Sequence, residues 1–179
     1  MITRTTDDTK LSGAALAAEL GRLGIPLVTF SAEDRHDPPP APDLLLASLA
    51  TSDEARLRMA LIPLFLACPD YARPVAEVAG GLCGRARVTL ICYYTAAILL
   101  QRKYARRLAR LGIEHTPLPN VFSLELNLPT SDNVDSSLAY LAERHAQLSG
   151  QSLNWRGTYE QAANRFLQRT TWEAQSAMS

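Results

Sequence analysis

The sequence predicts an all-α fold, a multi-helix bundle around one long central helix at about residues 85–111, with little or no sheet. The stretch 85–111 contains no Pro or Gly, and its first half is apolar on nearly all sides. Elsewhere, apolar residues recur at three- and four-residue spacings, which is the period of a helix. No two segments show the alternating pattern of paired strands.

The chain of 179 residues is of a size that favours one domain with a core that needs no disulfide or metal. We expect three parts within it. Residues 1–42 form an N-terminal arm with a short helix and a Pro-rich linker, 43–112 form the helical core, and 113–179 are C-terminal helices packed on that core.

The N-terminal arm contains one clear helix signal. Ser12 is a suitable N-cap, leucines follow at helical spacing, and Gly24 suits the position after the helix. Residues 25–30 could form a short extended segment, although no partner strand is evident. The loop that follows has four prolines in residues 38–42, a composition that forbids helix. It is a stiff connector or a docking site for a proline-reading module.

The predicted core begins with helices whose ends are marked by polar residues and proline. Asp43 is expected to cap a helix, and Thr51 with Glu54 resembles a capping box for the next one. Pro63 lies inside that second helix, so the helix should kink or split there.

Gly112 suits the end of the long helix, and three shorter helices are expected after it. Each has a capping residue before it. The expected helices are 121–127 after Asn120, 136–148 after Asp132 or Asp135, and 155–172 after Asn154.

The net charge of zero hides a strong local asymmetry. No acid lies between Glu77 and Glu114, whereas that stretch contains seven cations. Five of them fall within an arc of about 140° at 100° per residue. These five are Arg102, Lys103, Arg106, Arg107 and Arg110.

Five cations on one face repel one another, so an anionic group is expected opposite them. It could be the carboxylates of neighbouring helices, an acidic surface of another protein, or the phosphates of a nucleic acid. The last helix offers a second possible contact, because Trp and Tyr are enriched at interface hot spots. Trp155 and Tyr159 either pack that helix onto the bundle or bind a partner, and Trp172 could anchor another chain. His145 is expected at the surface.

One pair of residues resembles a catalytic signature. Arg110 is followed by four residues and then His115, which resembles the R-x4–6-H signature of the HEPN ribonucleases. The resemblance implies an all-α protein in which Arg and His of two subunits meet and cleave RNA without a metal. The family usually has a polar residue after the Arg, whereas this chain has Leu111.

No other motif indicates catalysis, and neither a cofactor nor a metal site is expected. Three cysteines without a CxxC or Cys/His cluster favour reduced thiols and a cytoplasmic protein. The longest apolar run is too short to span a bilayer. We therefore expect a non-enzymatic interaction protein with a protein partner or a second copy of itself, such as the accessory or antitoxin-like member of a bacterial two-component system. Nucleic-acid binding and HEPN-like ribonuclease activity are the alternatives.

Overall fold

A computed structural model describes residues 10–25, 38–113 and 116–177. These residues form nine α-helices and one 3₁₀ turn at Pro69–Ala72, with no strand among them. The helices are α1 Gly13–Arg22, α2 Pro42–Thr51, α3 Ala55–Met59, α4 Leu61–Ala67, α5 Val75–Gly81, α6 Gly84–Lys103, α7 Ala105–Arg110, α8 Val134–Ser149 and α9 Trp155–Ser176.

Helix α6 lies at the centre of the bundle, as the sequence predicts. Nearly every residue from Thr89 to Gln101 is buried, and α2, α4, α8 and α9 all pack against this helix. The apolar core runs from Leu11 to Leu167 without separating into parts. Side chains from all three expected segments therefore contribute to one core. The helices listed above, with no strand among the described residues, confirm the all-α prediction.

The central helix is shorter than the sequence indicates. It ends at Lys103, and Tyr104, with φ −102° and ψ 14°, separates it from the short helix α7. The prediction of one helix over 85–111 is therefore wrong at its C-terminal end. No Pro or Gly in the sequence marks this break. After the break, Leu108 of α7 lies in the core.

Local capping signals are accurate where a side chain can reach the first free N–H groups. The Ser12 hydroxyl accepts a hydrogen bond from Ala15 N at 3.2 Å, and the Asn154 amide oxygen accepts one from Gly157 N at 2.9 Å. Gly112, with φ +68°, follows α7 in the left-handed conformation that ends helices. These three predictions are confirmed.

Two capping predictions in the core segment are wrong. Helix α2 starts at Pro42 after Ala41, so Asp43 lies in the first turn and caps nothing. Thr51 is the last residue of α2, and its hydroxyl donates to the carbonyl of Ala47. Proline at the first helical position replaces the Asp43 cap, because its fixed φ suits that position and it has no N–H to satisfy.

The remaining comparisons concern where helices split, whether a short helix forms, and where helices begin and end. The chain splits at Ala60 between α3 and α4, which places Pro63 in the first turn of α4, as its helix-breaking effect predicts. Residues 121–127 form turns and not a helix. The cap of α8 is Asn133 and not the predicted Asp132 or Asp135, because the Asn133 side chain accepts a hydrogen bond from Ser136 N. Helix α9 continues through Ser176.

Several predictions fall outside the described residues. They concern the extended segment after Ile25, most of the Pro-rich loop, and His115. Within the described ranges, no helix is long and apolar enough to cross a bilayer.

Candidate functional site

The C-terminal end of α6 and the whole of α7 carry the five clustered cations. Arg102 and Lys103 occupy the last turn of α6, and the other three lie on α7. Leu108 is buried on the opposite side of α7 and holds this short helix against the core. The cations are therefore presented on the outer side of the bundle.

Lys103 is neutralised by the protein itself. Its ammonium group donates to Asp135 Oδ1 at 2.6 Å and to Glu160 Oε1 at 2.8 Å. Arg156 contacts the same two carboxylates at 2.9 and 3.4 Å. Two cations and two anions thus join α6, α8 and α9. The hydrogen bonds to Asp135 and Glu160 raise the pKa of Lys103, and the hydrogen bond from Lys103 lowers the pKa of Asp135.

This ion network predicts a modest stability effect. Replacing Lys103 by methionine, which keeps the aliphatic stem, should lower the free energy of unfolding by about 1 kcal/mol, because half-buried ion pairs contribute little net energy. Urea denaturation at low and high salt measures the change. Arg102→Met is the matched control, since Arg102 lacks a carboxylate partner in the described part of the chain. Equal effects of the two substitutions would contradict the structural role of Lys103.

Two cations at the start of α6 are also paired. Arg85 lies 3.0 Å from Asp53, and Arg87 lies 2.6 Å from Glu125. Arg87 additionally donates to the carbonyl of Ala79 at 2.6 Å. Three of the seven cations in this stretch therefore contact a carboxylate of the bundle, and Lys103 is the one that belongs to the five clustered cations.

The other four cations have no carboxylate partner among the residues that the structure describes. Arg102, Arg106 and Arg110 are exposed and Arg107 is half-buried. We call Arg102, Arg106, Arg107 and Arg110 the basic surface. All four are guanidinium groups, which can bind a carboxylate or a phosphate through two parallel hydrogen bonds.

Trp155 and Tyr159 of α9 are in the core and not at the surface that partner binding requires. Trp155 and Tyr159 are 7% and 0% exposed, so they pack α9 onto the bundle and do not reach a partner. Their rings enclose His145, which is 2% exposed although a surface position was expected. The prediction for His145 is wrong, because its position on the inner face of α8 faces Tyr93 of α6.

Distances within this aromatic cluster indicate a tightly packed core. The His145 ring stacks on Trp155 at 3.7 Å between centroids, and Nδ1 lies 2.6 Å from the Tyr159 hydroxyl. Burial lowers the pKa of His145 to about 4 and raises the pKa of Tyr159. The imidazole is therefore neutral at pH 7, and its tautomer decides whether Nδ1 accepts from the phenol hydroxyl or donates to the phenol oxygen.

Trp172 lies near the end of α9 and is 67% exposed. Its position at the surface matches the expectation for an anchor of another chain. Leu124, in the turns before α8, is also largely exposed.

Only one of the two residues that resemble the ribonuclease signature is described. Arg110 is exposed at the end of α7, and His115 lies outside the described residues.

Burial raises the pKa of the Cys92 thiol to about 12, so this cysteine is protonated at neutral pH. No group of His, Cys, Asp and Glu in the described ranges could hold a metal ion.

Sequence reasoning did not single out the polar residues that anchor the segment after α7. The buried Gln101 side chain donates to the Thr116 carbonyl at 2.9 Å and accepts from Leu118 N at 3.0 Å. The Tyr94 hydroxyl donates to the Pro119 carbonyl at 2.7 Å. A glutamine at the end of an apolar run is the available signal, because a buried amide requires partners.

Comparison of the chain with family models, with curated proteins and with solved structures finds no match.

Proposed function

We propose that the protein is a non-enzymatic interaction protein that binds an acidic partner protein through the basic surface. The observation that supports this is the contrast between paired and unpaired cations in one stretch of chain. Lys103, Arg85 and Arg87 each contact a carboxylate of the bundle. The four arginines of the basic surface contact none in the described part of the chain. A cytoplasmic role as the accessory or antitoxin-like member of a bacterial two-component system belongs to this proposal, and its bacterial part is based on the Ala-, Leu- and Arg-rich composition.

An acidic protein fits the basic surface better than a nucleic acid does. Arg106 and Arg110 are four residues apart, about 6 Å along α7. Nucleic-acid-binding proteins commonly make about 6–10 phosphate contacts, more than four arginines in this space provide. The net charge of the whole chain is zero, so the basic surface alone would have to attract a long polyanion. Four guanidinium groups suit a few carboxylates on a folded surface or an acidic peptide.

The test is a charge reversal with a matched control. The probe is a fluorescent peptide rich in Asp and Glu, and its binding is followed by anisotropy at low salt. We expect Arg106→Glu with Arg110→Glu to weaken binding at least about tenfold, since each substitution removes a charge-assisted hydrogen bond and adds repulsion. The control, Arg73→Glu with Arg85→Glu, changes the net charge equally at exposed sites elsewhere and should alter binding by less than about twofold.

Other outcomes would overturn the proposal. Equal loss in both double variants would show that total charge, and not the basic surface, determines binding. Tighter binding of single- or double-stranded nucleic acid, with an affinity that falls steeply with salt, would indicate the nucleic-acid alternative. RNA cleavage that His115→Ala abolishes would indicate the ribonuclease alternative.

A further inference from the structure

A groove lies between α3, α4 and α9, away from the cations of α7. Its volume is about 380 Å³, within the range of about 300–1,000 Å³ that is usual for ligand pockets. Apolar side chains from α1's end, α3, α4 and α9 line most of it. They are Ile25, Met59, Ala60, Pro63, Ala162 and Phe166.

Three arginines are the only charged residues among the described residues that line this groove. They are Arg56, Arg165 and Arg169. Two of them are already paired, Arg56 with Glu54 at 2.7 Å and Arg169 with Glu173 at 2.8 Å. Arg165 is exposed and has no acid partner in the described ranges. One positive charge therefore remains beside an apolar groove.

We propose that this groove binds a small amphipathic monoanion, a carboxylate on an apolar chain. The apolar body would lie on Met59, Pro63 and Phe166, where it would lose contact with water. The carboxylate would accept two hydrogen bonds from the Arg165 guanidinium, whose planar fork matches its geometry. A single unpaired arginine balances one negative charge, which favours a carboxylate over a phosphate monoester with close to two charges.

Two of the lining positions allow the two halves of the site to be tested separately. Arg165 is exposed, so Arg165→Gln removes the charge without disturbing the core. Ala162 lines the groove, so the larger side chain of Ala162→Phe should occupy part of it. Arg106→Gln, on the basic surface, is the control for a nonspecific loss of positive charge.

The experiment is calorimetric titration of the full chain with decanoate below its micelle concentration, and with the neutral decan-1-ol. We expect one decanoate per chain, and binding about tenfold weaker in Arg165→Gln, since one charge-assisted interaction is lost. Decanol binding should be the same in that variant, and Ala162→Phe should abolish binding of both. Arg106→Gln should change neither.

Three results would overturn the proposal. They are no binding of decanoate, an equal loss in Arg165→Gln and Arg106→Gln, and decanoate binding that Arg165→Gln leaves unchanged. If Ala162→Phe does not fold, as judged by circular dichroism, the comparison of decanoate with decanol in Arg165→Gln still decides the matter. The outcome is independent of acidic-peptide binding, which uses a different surface.

Discussion

Replacing Trp155 by alanine is expected to destabilise the protein by about 3–5 kcal/mol, the usual cost of deleting a large aromatic side chain from a core. Trp155 is 7% exposed and stacks on His145 at 3.7 Å. Its indole N–H donates to the Gln151 carbonyl at 3.1 Å. The substitution removes the stack, this hydrogen bond and the edge contact with Tyr93. Since a domain of this kind is stable by only about 5–15 kcal/mol, the loss is a large fraction of the total.

The second tryptophan of the chain is the matched control. Trp172 lies on the same helix but is 67% exposed, so Trp172→Ala should change the free energy of unfolding by no more than about 0.5 kcal/mol. Urea denaturation followed by circular dichroism measures both variants. Similar destabilisation by the two substitutions would contradict the burial of Trp155. If Trp155→Ala left the free energy of unfolding unchanged, the alternative that this ring binds a partner would be favoured.

The pair of tryptophans also shows where sequence reasoning succeeds and where it stops. Helical spacing places Trp155 and Tyr159 on one face of α9, and that much is correct. Spacing does not show which other element covers the face. Here α6 and α8 cover it, through Tyr93 and His145. The sequence alone predicts a surface position for the polar residue His145. Nothing near it in the chain indicates that a phenol from another helix will form a hydrogen bond with its ring nitrogen.

The basic surface has the same dependence on tertiary contacts. The sequence locates five clustered cations and correctly raises the possibility of internal pairing. It cannot separate Lys103 from its neighbours, because Asp135 and Glu160 are distant in the chain and approach only when α8 and α9 pack on α6. The break at Tyr104 is likewise invisible in the sequence, since it contains neither Pro nor Gly.

No pattern in the sequence predicts the groove between α3, α4 and α9. Its lining combines Ile25, Met59 and Phe166, which lie in three separate parts of the chain. Each of these residues is unremarkable in its own segment. A concave surface made by several elements has no local signature, so only the packed structure reveals it.

The second large effect is a dependence of stability on pH that comes from His145. Burial lowers its pKa in the folded protein to about 4, from 6.5 for an unperturbed histidine. The groups that face it are the neutral hydroxyl of Tyr159 and the rings of Tyr93 and Trp155. None of these compensates a positive charge by forming an ion pair, so the folded protein resists protonation of the imidazole.

The sign follows from proton uptake. Between pH 6.5 and about 4 the unfolded chain binds a proton on this histidine and the folded chain does not, so the free energy of unfolding falls as the pH falls. The contribution of the buried neutral His145 to the free energy of unfolding is fully present above pH 6.5. The full difference corresponds to about 3 kcal/mol, from 1.36 kcal/mol for each tenfold change in proton affinity.

His145→Gln removes the titrating group and keeps an acceptor for the Tyr159 hydroxyl, so it isolates this effect. Urea denaturation of both proteins from pH 7.5 to pH 4 gives two curves of stability against pH. We expect the substitution to lower stability at pH 7, because the stack on Trp155 is lost, and to flatten the curve between pH 6.5 and 4. The other ionisable groups are the same in both proteins, so their contributions cancel in the difference. Parallel curves would show that His145 is protonated as easily in the folded chain as in the unfolded one, and that the cluster formed by α6, α8 and α9 is open to water.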